Sequence, residues 1–195
     1  MKRLAIRTLY AAATATMLGF TADALGAEDF VSRLLGHAPA KGKTYACFTR
    51  VYDPAHLASH PQQNVRSMIL LVVMDSDNPD SYQLRIGSHF RTRKGILDTA
   101  GDCGVPHDAG AAAGAHCGVA CDGGEIDVAL KDKDAVMLSI PEGARLWKPG
   151  ADDKSSVHGA FGPDDKLFRL ERSRAAECAE ERADASEKAL LKRIR

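Results

Sequence analysis

Between residues 82 and 91 the chain alternates without a break, with Tyr82, Leu84, Ile86, Ser88 and Phe90 separated by Gln83, Arg85, Gly87, His89 and Arg91. A period of two predicts a strand with one apolar face and one polar, basic face. Further β-branched or apolar runs occupy residues 44–52, 65–74, 96–99, 125–131, 135–140, 145–148 and 166–172, each of strand length. Between them stand turn-forming clusters: Asp75-Ser76-Asp77-Asn78-Pro79-Asp80, Asp132-Lys133-Asp134 and Pro141-Glu142-Gly143. Residues 103–116 read as a loose loop rich in Gly and Ala. Residues 28–35 predict a short helix with Phe30, Val31, Leu34 and Leu35 on one face. The tail, residues 175–195, is helix-prone and charged, with a weak apolar stripe at Ala179, Ala183, Leu190, Leu191 and Ile194.

Eight short strands with hairpin-length connections and no long intervening helix predict a mostly β chain built as an antiparallel meander. Eight strands suffice to close on themselves. A small barrel or strongly curled sheet is therefore the expected architecture, with a β-sandwich as the runner-up. The layout is similar to that of the calycins, although the Gly-x-Trp motif near the first strand is absent. Tyr82, Leu84, Ile86, Phe90, Val128, Leu138 and Trp147 are the candidates for the inward wall, either lining a pocket or packing as a core. An outer-membrane barrel fits poorly, because the strands are short and the chain ends in a helix-prone tail rather than a closing strand.

Composition adds little beyond this. The chain has 195 residues, 45% hydrophobic and 27% charged, with 26 basic against 26 acidic residues, so it lacks the basic balance of a general nucleic-acid binder. Its first segment is more informative. Lys2, Arg3 and Arg7 precede an uncharged stretch at residues 8–20, and small residues follow at Ala22, Ala24 and Gly26. This order predicts a signal peptide over residues 1–26, then a leader or short helix over 27–42, a β domain over 43–174 and the tail. The uncharged stretch reaches only about 20 Å, too short for a span of roughly 30 Å. A periplasmic or secreted protein without a transmembrane segment in its mature chain is the expectation.

An oxidising compartment turns Cys47, Cys103, Cys117, Cys121 and Cys178 into disulfide candidates. An odd number leaves at least one thiol over. Residues 117 and 121 are about 13 Å apart if extended, too far to bridge. A bond from Cys103 to Cys117 or Cys121 would clip the Gly/Ala loop, and a bond from Cys47 to Cys178 would tie the ends of the domain together.

Local chemistry is sparse. His56 and His60 stand four apart behind Asp53-Pro54, so one helical turn would place both imidazoles on one face as candidate transition-metal ligands. A second set, His107, His116, Cys117 and Cys121, matches no zinc module, and Asp75, Asp77 and Asp80 lack the Gly and Glu of a calcium loop. Arg85, His89, Arg91 and Arg93 form a candidate anion-binding face, with Trp147 as a further ligand-binding candidate. No nucleophile elbow, phosphate loop or dinucleotide fingerprint is present. No catalytic residue is assigned and no cofactor is expected beyond that metal option. The leading expectation is a non-catalytic binding module for a small molecule. A module facing an envelope protein, as inhibitor or assembly factor, is the alternative, and a metal-binding protein or enzyme comes third.

Overall fold

The structure is a computed structural model that describes residues 30–78, 81–104, 114–151, 155–182 and 185–194. The proposed signal peptide and its cleavage site, His107, Pro79 and Asp80 lie outside the described residues. Eight strands form a closed antiparallel barrel in sequence order: β1 (Lys43–Val51), β2 (Val65–Asp75), β3 (Tyr82–Phe90), β4 (Ile96–Gly104), β5 (Ala115–Val119), β6 (Glu125–Leu130), β7 (Ala135–Ser139) and β8 (Leu167–Ser173). Closure is made by β8 pairing with β1 through Cys47↔Ser173 and Thr49↔Glu171. Closure gives every strand a neighbour on both sides.

The expected barrel is therefore present, with two corrections to its strand list. Residues 145–148 are not a strand; within them Trp147 only bridges Asp98, and Leu146 bridges Val157. Their place in the barrel is taken by β5, which lies partly inside the predicted loop. Glycine and alanine concealed it, because a strand reading Ala-His-Cys-Gly-Val offers little apolar alternation. Since β5 pairs with β4 only from Gly101 onward, the first half of β4 would be open on that side. The bridge at Trp147 covers it, through Asp98 N–H to Trp147 O at 2.7 Å and Trp147 N–H to Asp98 O at 2.8 Å.

Alternation along the strands fills the lumen with large side chains. Phe48, Met68, Leu70, Leu84, Ile86, Leu138 and Phe168 are all buried, a packed interior of the kind that small barrels make. Tyr82, Leu84, Ile86, Phe90, Val128 and Leu138 are in it as expected, whereas Trp147 is a half-buried residue of the bridging segment. One mouth is stoppered by a helix over residues 30–35, α1, whose Phe30, Val31, Leu34 and Leu35 join the core. Arg172 holds it there by donating to Arg33 O at 2.9 Å and Leu34 O at 3.2 Å, a cation on the carbonyl end of a helix. The opposite mouth is covered by the segment between β7 and β8, which contributes Leu146 and Ala160.

The run at residues 68–74 is apolar without interruption because this part of β2 is covered on both faces. Met68, Leu70, Val72 and Met74 point into the lumen, while Ile69, Leu71 and Val73 point out under the tail. That tail forms two helices, α3 (Ala175–Arg182) and α4 (Ala185–Leu191), after α2 (Pro54–Ser59) earlier in the chain. Cys178, Ala179 and Leu191 pack on Tyr45, Cys47, Leu71 and Val73. The Cys47–Cys178 disulfide crosses this contact, and Cys103–Cys117 joins β4 to β5. Cys121 is free and exposed, in the turn between β5 and β6. No helix among the described residues is long and apolar enough to cross a membrane.

Candidate functional site

The tail covers the outer face of β1–β3 only in part. Below Ile69 the next outward row, Val51, Ser67 and His89, runs across three strands in register and is left uncovered by the tail. Helix α2 supplies a wall beside it. A six-residue helix is marginal in isolation, and this one buries none of its residues. Its conformation is fixed from outside. Asp53 Oδ1 accepts from His56 N–H at 2.7 Å with Pro54 in the first turn, an N-cap of the predicted kind. At the other end Arg91 donates to Leu57 O at 3.2 Å and Gln63 O at 3.3 Å.

The resulting cleft has a volume of about 600 Å³. Its walls are apolar at Val51, Tyr52 and Leu57, and cationic at Arg66 and Arg91, with His89 beside them; among the described residues no carboxylate lines it. Arg66 is placed by a β-bulge, since the pairing of β2 with β3 shifts between Val65 and Ser67. Such an irregularity turns a side chain out of the regular alternation. Arg91 spends its hydrogen bonds on carbonyls, so its charge is not neutralised by them.

A second cleft, about 390 Å³, lies on the other side of Tyr52 and is lined by Arg50, His56, His60, Leu167, Arg169 and Asp164 among others. Arg50 lies 5.1 Å above the Tyr52 ring centre, a cation–π contact. The Tyr52, His56 and His60 rings continue as a column, with centres 4.6 and 4.2 Å apart. Burial pushes the Tyr52 phenol above its ordinary pKa, with Arg50 acting the other way; the hydroxyl is neutral at pH 7.

The predicted residues are thereby sorted. His56 and His60 share a face as their spacing implies, but the rings stack at 17° with His56 Nε2 on Gln63 Oε1 at 3.0 Å and His60 Nδ1 on His56 O at 2.9 Å. Stacked rings hold their in-plane lone pairs parallel rather than convergent. Among the described residues no group of three or more His, Cys, Asp or Glu is placed to hold a metal ion. The basic face of β3 is divided. His89 and Arg91 reach the first cleft, Arg93 is exposed in the following turn, and Arg85 is taken by the tail, with Arg85 Nη1 2.5 Å from Glu187 Oε2. Glu187 is buried and also accepts from Lys43 Nζ at 2.9 Å and Tyr45 OH at 3.3 Å. Trp147 is in neither cleft.

His116 belongs to a local pair on β5 and β6. Its Nδ1 lies 2.7 Å from Asp127 Oδ1, and this hydrogen bond raises the imidazole pKa above its ordinary value. An NMR titration is expected to find His116 protonated to higher pH than a free imidazole, and Asp127→Asn to remove the difference. Because the folded-state value is the raised one, the pair's contribution to stability is fully present below the unfolded value and is lost as pH rises through the folded value. Both side chains are half exposed, so the change in stability is small.

Sequence reasoning did not find Arg50, Val51, Tyr52, Arg66 or Asp165. Asp165 reads as a turn acid beside Pro163. It is in fact fully buried, accepting from Asn64 N–H at 2.8 Å, Gly162 N–H at 2.7 Å and Val65 N–H at 3.2 Å. Burial pushes its carboxyl above the ordinary pKa while the three backbone donors pull it down. This knot fixes the exit of α2 against the barrel cover. Compared with known protein families, characterised proteins and solved structures, the chain matches none, so the residues themselves carry the functional reading.

Proposed function

We propose that this chain is a non-catalytic binding module whose ligand sits outside the barrel, in the cleft between α2 and the outer face of β1–β3, held through an anionic group. The observation that carries this reading is the lining of that cleft: Arg66 and Arg91 over Val51, Tyr52 and Leu57, with no carboxylate among the described residues that line it. Fixed guanidinium groups with an apolar floor suit a carboxylate or phosphate joined to an apolar body. The packed lumen supports the same choice. None of Phe48, Met68, Leu84, Ile86 or Phe168 lines either cleft. The two disulfides support an exported, periplasmic or extracellular setting. Calorimetric titration with citrate tests the reading. The wild-type chain is expected to bind it and Arg66→Glu to weaken binding about tenfold or more; equal affinity in both proteins would overturn the assignment.

A further inference from the structure

Tyr52 lines both clefts, and what flanks it defines a larger surface than one anion needs. On one side stand Arg66 and Arg91. On the other stand Arg50 and Arg169, with Asp164 as the carboxylate of that second cleft. The Nε of Arg50 is buried without a hydrogen-bond partner, whereas Arg169 is already paired with Glu171 at 2.8 Å and Asp132 at 3.6 Å. The two most exposed large apolar side chains among the described residues, Val51 at 76% and Leu167 at 58%, border the first and the second cleft respectively. Solitary exposed apolar residues are ordinary. Two of them on either side of a Tyr and beside four arginines are the composition of a protein-binding surface, in which Tyr and Arg carry most of the energy.

We infer that the partner is an acidic protein segment laid across β1, with one carboxylate on each side of Tyr52 and an apolar side chain between them. This rests on the reading of the first cleft as an anion site. Spacing limits the alternatives. The second cleft draws on β8 and the first on β2, the two neighbours of β1, so the cationic sockets are about two strand spacings, roughly 10 Å, apart. A small anion spans only one. An extended chain covers that distance in about three residues. A polyphosphate backbone is less well matched, because the chain has no basic excess to gather one.

The test uses the full chain and a dye-labelled, capped peptide carrying two glutamates three positions apart with a leucine between them, read by fluorescence anisotropy. The doubly acidic peptide is expected to bind about tenfold tighter than versions with either glutamate replaced by glutamine. Arg66→Glu and Arg50→Glu should each abolish that advantage, and the milder Arg66→Gln and Arg50→Gln, with unchanged circular dichroism, should act in the same direction. Citrate should respond to the changes at Arg66 alone. If both changes at Arg50 leave peptide affinity intact while citrate still depends on Arg66, the two-socket inference fails and the anion site stands. If neither probe responds at Arg66, both fail. Tighter binding of a single-stranded oligonucleotide or of anionic phospholipid vesicles than of the peptide would also overturn the inference.

Discussion

Asp165→Ala is expected to lower stability by about 3 to 5 kcal/mol, because it removes the acceptor of three backbone N–H groups, those of Asn64, Val65 and Gly162. Each unsatisfied buried donor costs on the order of 1 to 3 kcal/mol, and partial relaxation keeps the total below the sum. The same knot has a second strand to it. Gly162 sits so close to the chain that a methyl group there would fall 1.9 Å from the carbonyl oxygen of Gln62. Gly162→Ala should therefore produce a comparable loss by pushing the two segments apart. Chemical denaturation monitored by circular dichroism checks both. Because Gln63 and Asn64 lie at the exit of α2, each variant should also weaken citrate binding at temperatures where it is still folded. Wild-type stability in Asp165→Ala would show that the contacts of this carboxylate are incidental.

Removal of the Cys47–Cys178 bond is the second large effect. It closes a loop with a sequence separation of 131, against 14 for Cys103–Cys117. Chain entropy assigns about 5 kcal/mol to a loop of the first size and about 3 kcal/mol to one of the second. The ranking is expected to hold in paired Cys→Ala variants, with the Cys47/Cys178 pair the less stable. Its loss also has a local signature. Without the bond, α3 and α4 keep the contacts of Ala175, Ala179, Leu191 and the buried Glu187 but lose their covalent tie to the sheet, so hydrogen exchange should accelerate in both helices. Uncovered Tyr45, Leu71 and Val73 would then present an apolar patch prone to self-association. A smaller loss than that of the Cys103/Cys117 variant would contradict the role given to the tail.

Much of the fold was legible because two of its causes are local. The alternation at residues 82–90 and the turn residues around it specify a half-buried strand and its register. The apolar face of residues 30–35 specifies a helix that must cover something. Cys47 and Cys178 sit at the two ends of the β domain, so their pairing follows from topology. What was not legible depends on contacts between distant residues. An uninterrupted run such as 68–74 is compatible with any strand buried on both faces, and nothing in it reveals that the covering element is the tail. Glu187 is one of many charges in that tail; only Lys43, Tyr45 and Arg85 converging from β1 and β3 make it a buried anchor. The same convergence removes Arg85 from a face it shares with His89 in sequence. The candidate site fared similarly: His89 and Arg91 could be named from alternation, but Arg66 owes its position to a bulge and Val51 to the limit of the tail's coverage, neither of which has a local signal.

The decisive measurement is an amide-shift map of the isotopically labelled chain titrated with citrate. Shifts concentrated at Val51, Tyr52, Arg66, Ser67, His89 and Arg91, with the lumen residues Leu84, Ile86 and Val128 unmoved, are the predicted result. Shifts centred on those three lumen residues would place the ligand inside the barrel and contradict an external site.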